Sequence, residues 1–210
     1  MQPEADGKVK TGTTTLGLIC DKAVVLAAER KATMGYLLAN KDTLKILQLD
    51  DHLGMTIAGV VGDAQALQRY IKAEVKLYSL QEERRIPIKS AASLIAAILY
   101  SRRFYPYIVQ LVVGGYDTEP RLFSLALDGS NLEEKEFYSS GSGSPMAFGV
   151  LEDTYHKGMT LEEGKRLAAR AVLAATKRDI ASGGSGIDVV VIDSKGFRKV
   201  PDEDVQKMLK

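Results

Sequence analysis

The sequence predicts an α+β chain in four layers, an α-β-β-α sandwich of two antiparallel sheets held between helices. Three observations lead there. Strand-like and helix-like runs come in groups: strands, two helices, strands, two helices, strands, a last helix. Several strand runs (VVLAA, MTIAGVV, DVVVI) are apolar on both faces, so both faces must be covered. Connections within each strand group are hairpin-short, which makes neighbouring strands antiparallel.

The elements follow in order. TTTLGLIC at 13–20, a turn at Asp21 and Lys22, and AVVLAA at 23–28 suit a first hairpin. KILQL at 45–49 and GMTIAGVV at 54–61 come next, joined by Asp50, Asp51 and His52. The period then turns helical between Asp63 and Arg85, where Leu67, Ile71, Val75 and Tyr78 recur, and stops before Pro87. Ser90 is expected to cap a second helix with Leu94, Ile95, Ile98 and Leu99 on one stripe. Strands return as IVQLVVGGY at 108–116 and LFSLAL at 122–127. A third helix is expected from Ser144, with Pro145 in its first position. A fourth runs from Thr160 to about Ser182 behind a capping box of Thr160 and Glu163. IDVVVID and FRKV precede a short helix after Pro201. Only residues 1–12 look detachable, so a single domain is expected over 13–210.

Composition narrows the function. With 28 basic and 27 acidic residues the formal charge is +1, which gives no electrostatic case for nucleic acid or an anionic membrane as partner. No apolar run approaches the roughly 18 residues that span a bilayer, and MQPEADGKVKTG lacks the apolar core of a secretion signal. The one cysteine, Cys20, lies in an apolar run and reads as a buried free thiol of a reducing, cytoplasmic compartment. His52 and His156 stand apart in polar surroundings, so both are expected at the surface, with no metal site and no cofactor.

Three charged residues occupy apolar positions. Lys45 shares a strand face with Leu47 and Leu49, Glu29 closes the apolar strand ending in Ala28, and Asp179 continues the helical stripe Ala168, Val172, Ala175. Buried charges need partners, and one cluster of Lys45, Glu29 and Asp179 would satisfy all three. Taken singly, each could instead snorkel to solvent or form an ordinary ion pair. SSGSGSP at 139–145 and SGGSG at 182–186 flank helices without the Gly-Lys-Ser/Thr of a phosphate loop. The second reads as a helix C-cap; the first is either a turn into an N-cap or a presenter of hydroxyls and N–H groups to a site.

GTTTLGLIC at 12–20 strongly resembles the start of proteasome β-subunits of the archaeal type. The resemblance continues in order through ERKAT, TLKI, GMTIAGVVGDAQ, GSGSPMAFGVLE and RDIASGG, to beyond Asp193. It implies the sandwich fold of N-terminal-nucleophile hydrolases. It also implies a propeptide, residues 1–12, removed autocatalytically between Gly12 and Thr13. A glycine there lets the backbone take the tight geometry of internal attack. The freed α-amine, with a reference pKa of about 7.7–8.0, would be the base for the Thr13 hydroxyl, so no Ser-His-Asp triad is needed.

By the same resemblance Lys45 sets a positive charge beside Thr13. Glu29 stands where many members have aspartate and orients that lysine. Asp179, Ser182 and Ser142 match the supporting acid and hydroxyls, the Gly59 N–H the oxyanion donor, and Thr33 a residue that pairs with the substrate backbone. Ala32, Thr43, Leu47, Ile57, Val61 and Gln65 would line an uncharged pocket, implying cleavage of unfolded polypeptides after large apolar residues. The implied partners are seven-membered β-rings stacked with α-rings, and a regulatory unfolding ATPase acting through the α-rings. An inactive ring member, a small-molecule amidase and the bacterial proteasome-like peptidase are the other readings; retention of Thr13, Lys45 and Asp179 together speaks against the first.

Overall fold

The structure, a computed structural model, describes residues 12–210. The expected leader therefore lies outside the described residues, apart from Gly12. In chain order the strands and helices begin with β1 (Thr15–Cys20), β2 (Ala23–Glu29), β3 (Ala32–Met34), β4 (Leu37–Asn40), β5 (Ile46–Asp50) and β6 (Leu53–Gly59). Helices α1 (Val61–Glu82) and α2 (Ile88–Ser101) follow. Next come β7 (Val109–Tyr116), β8 (Pro120–Leu125), β9 (Asn131–Glu134) and β10 (Phe137–Ser140). Helices α3 (Ser144–Thr154) and α4 (Leu161–Thr176), strands β11 (Ile187–Asp193) and β12 (Gly196–Lys199), and α5 (Asp202–Leu209) complete the chain.

One five-stranded sheet has the order β10-β1-β2-β11-β12 and the other β5-β6-β7-β8-β9, with every pairing antiparallel. The expected sandwich is present. Strand parity explains it: on β2, Val25 and Ala27 pack with α4 residues such as Ala168 and Val172, whereas Val24, Leu26 and Ala28 meet Ile46, Val112 and Leu122 of the opposing sheet. Helices α1 and α2 cover the outer face of the second sheet through Leu67, Ile71, Ile95 and Leu99.

Several boundaries differ from the expected ones for identifiable reasons. Helix α1 begins at Val61, because Gly59 takes φ +135° and ends the strand two residues earlier. Helix α2 begins at Ile88, ahead of Ser90; its first-turn donor, Ile88 N–H, is accepted at 3.0 Å by Asp117 of the β7–β8 turn, a cap invisible to local reading. Helix α4 stops at Thr176, where Lys177 and Arg178 turn onto Ala174 and Ala175 in tightened i→i−3 bonds. Asp179 N–H still reaches the Ala175 carbonyl at 2.9 Å, so the chain keeps a helical sense past the helix end. His52 is buried, not superficial: its Nε2 lies 2.8 Å from the Ile86 carbonyl oxygen and ties the β5–β6 turn to the α1–α2 connection.

Candidate active site

Thr13 lies just ahead of β1, and extended-chain parity points its side chain, like that of Thr15, at the opposing sheet. Thr15 Oγ1 meets Thr56 Oγ1 of β6 at 2.8 Å, so the two sheets touch through hydroxyls one strand step below Thr13. Thr14 faces the other way and bonds Ser182 Oγ at 2.6 Å. Lys45 sits immediately before β5, its carbonyl fixed at 3.0 Å by Ile57 N–H of β6. From that sheet its ammonium crosses to Thr13 Oγ1 at 2.5 Å and pairs with the Glu29 carboxylate at the end of β2.

Glu29 is fully buried and Lys45 nearly so. The carboxylate is saturated: beyond Lys45 it accepts Thr14 N–H at 3.2 Å, Lys31 N–H at 2.7 Å and Gly183 N–H at 3.0 Å. Burial pushes the Lys45 ammonium below the usual lysine range, while the charge and hydrogen bond of Glu29 and the charge of Asp179 pull it part of the way back. Because an ammonium only donates, Thr13 Oγ1 accepts from Lys45 and keeps its own proton for another partner.

The backbone nitrogen of Thr13 has separate company. Its N–H donates to Ser142 Oγ at 3.1 Å, and Ser142 donates to Asp179 Oδ2 at 2.6 Å. Ser182 donates to the same carboxylate oxygen at 2.6 Å. An ionised carboxylate accepts only, so both serine hydroxyls turn toward it, which leaves the Ser142 lone pairs for Thr13. Asp179 thus joins the site through the serines, not in a shared cluster with Lys45 as expected. Thr14, the bridge between Glu29 and Ser182, was not singled out in the sequence, although it opens the helix-facing row Leu16, Leu18 with a polar side chain.

Gly12 packs so closely that a Cβ there would overlap the Ala181 side chain, and its N–H meets Thr33 Oγ1 at 3.3 Å. Gly59 admits no side chain either: at φ +135° a Cβ would run into the Ile108 carbonyl oxygen. Beside Thr13 opens a cleft of about 280 Å³. All six expected lining residues, Ala32, Thr43, Leu47, Ile57, Val61 and Gln65, border it, together with Thr33, Gly59 and the unanticipated Leu44, Ala64 and Gln68. Its one charged neighbour is Lys45, whose ammonium is turned to Thr13 and Glu29. Among the described residues, no three His, Cys, Asp or Glu side chains gather closely enough to hold a metal ion. No helix among them is long and apolar enough to cross a membrane.

A family model described as proteasome subunit matches residues 9–192. Among curated proteins, the proteasome subunit beta of Methanohalophilus mahii is 50% identical over 199 residues, 94% of each chain. Proteasome subunit beta 2 of Ignicoccus hospitalis is 54% identical over 186 residues, 89% of this chain and 87% of the relative. The proteasome subunit beta of Archaeoglobus profundus is 47% identical over 210 residues, all of this chain and 97% of its own.

Proposed function

The chain belongs to the proteasome family as a β-subunit of the core particle, and on that premise we propose that it is a threonine endopeptidase whose nucleophile is Thr13. One observation carries the reading: the hydroxyl and the backbone nitrogen of a single residue are held by different polar chains, Lys45–Glu29 on one side and Ser142–Asp179–Ser182 on the other.

In the unprocessed chain that nitrogen is an amide and accepts no proton readily. Self-cleavage frees it. Thr13 Oγ1 attacks the Gly12 carbonyl carbon, the hydroxyl proton passes to the Thr13 nitrogen, and the Gly12–Thr13 C–N bond breaks. This leaves Gly12 as an ester on Oγ1 and the nitrogen as an amine. Water hydrolyses the ester, residues 1–12 depart as an acid, and the hydroxyl is restored. The free amine, with a reference pKa of about 7.7–8.0, is then the base for substrate cleavage. Ser142 orients it, directed by Asp179 and Ser182, while Lys45, held by Glu29, stabilises developing charge on Oγ1. The Gly59 N–H is the oxyanion donor, a role worth about 2.7–4 kcal/mol where such donors have been removed.

Thr33 on β3 pairs with the incoming backbone, and the cleft beside Thr13 takes a large apolar side chain on the acyl side. Unfolded polypeptide is the substrate, no cofactor takes part, and the working unit is a seven-membered β-ring stacked on α-rings and fed by an unfolding ATPase in the cytoplasm. The test is Thr13→Ala in chains assembled with an archaeal α-subunit. Assembly persists, but release of residues 1–12 and hydrolysis of fluorogenic peptides both cease; continued processing in that variant contradicts self-cleavage.

A further inference from the structure

Two clefts share Gly12 and Gly59 next to Thr13, and the function proposed above uses one. The second, about 590 Å³, runs from Gly12, Gly59 and Ser142 to a wall formed by Tyr36, Ile108, Leu127 and Ile180. All four wall residues are exposed, from 40% for Leu127 to 92% for Tyr36. Scattered exposed apolar side chains are ordinary, but four around one cleft beside a reactive group mark a binding surface.

Proton return fixes which part of a substrate lies there. The proton that leaves Thr13 Oγ1 goes to the Thr13 nitrogen and must later reach the nitrogen of the departing peptide as its C–N bond breaks. The departing nitrogen therefore comes to the side of Thr13 where its own nitrogen lies, beside Ser142 Oγ at 3.1 Å. Ser142 borders the second cleft and not the first, whereas Lys45 and Thr33 border the first and not the second.

Resting on that catalytic reading, we propose that the second cleft binds the substrate segment C-terminal to the scissile bond and selects apolar side chains there, with Ile108, Leu127 and Ile180 as the selecting residues. Bonds flanked by apolar residues on both sides are then cut best, a pattern abundant in the exposed core segments of unfolded proteins.

The experiment uses the processed, assembled particle and internally quenched peptides whose acyl side ends in Leu throughout. The two residues after the scissile bond are Leu-Leu, Ser-Ser or Asp-Asp. Leu-Leu is expected to exceed Ser-Ser roughly five- to tenfold in kcat/KM, the scale of discrimination by an apolar contact, with Asp-Asp lowest. Leu127→Ser and Ile180→Ser should flatten that ranking while leaving the acyl-side preference for Leu over Arg unchanged. A flat ranking in the wild-type particle, as when a ring neighbour covers the wall, overturns the proposal. So do variants that shift the acyl-side preference instead. Failure to cut any peptide overturns the catalytic reading itself.

Discussion

Lys45 and Glu29 form a pair with almost no access to water, and removing one partner is not equivalent to removing both. Lys45→Met leaves a fully buried carboxylate without its cation, so a loss of about 3–5 kcal/mol of stability is expected, together with peptidase activity. Combining Lys45→Met with Glu29→Gln, which removes the unpaired charge but keeps an acceptor oxygen for the Lys31 and Gly183 N–H groups, should restore part of that stability and none of the activity. Denaturant unfolding of the two variants beside peptide assays checks both. The pair also has a pH signature. Burial lowers the Lys45 pKa from 10.5 in the folded chain, so between the lowered value and 10.5 the unfolded chain binds the extra proton. Stability contributed by this residue therefore rises with pH across that window. Unfolding curves taken at successive pH values should show the rise, and Lys45→Met should remove it.

Gly59, at the end of β6, is where an element boundary and the site coincide. Gly59→Ala demands φ +135° of a residue with a Cβ and drives that carbon into the Ile108 carbonyl. Strain on the order of 1–3 kcal/mol and a displaced β6 terminus are expected, and peptidase activity should fall further than the unfolding midpoint does. Thr160 provides the contrast: its capping box with Glu163 is far from Thr13 in sequence and borders neither cleft. Thr160→Ala should cost about 1 kcal/mol in denaturant unfolding and leave kcat unchanged. That capping box and the β1–β2 hairpin were legible because their signals are local. The cap of α2 was not, since its acceptor, Asp117, lies 29 residues away. The β3–β4 hairpin was hidden because β4 is exposed at every position and has no buried face to imprint an alternation. Strands β9 and β10 are four residues each, and β10 carries Ser139 and Ser140 where a buried strand would show apolar residues.

Across the whole molecule, three apolar layers hold the sheets and helices together, and Cys20 lies within the layer between the first sheet and α4. Burial pushes its thiol up to about 12, so iodoacetamide at pH 8 should leave it unmodified until the domain unfolds, and its alkylation rate becomes a probe of global opening. The site was legible to the extent that its charges interrupt apolar patterns, as Lys45, Glu29 and Asp179 do. The contact between Thr13 and Ser142, 129 residues apart, was not, because it depends on how β1 and the start of α3 meet at the sheet end. The resemblance supplied that pairing, and the fold brings the two together. All of the chemistry assigned to Thr13 turns on when its nitrogen stops being an amide. The most direct measurement follows intact mass and peptide hydrolysis together as assembled particles mature. Activity should grow in proportion to the chains that begin at Thr13; particles still carrying residues 1–12 on every chain yet hydrolysing at the full rate would contradict the account.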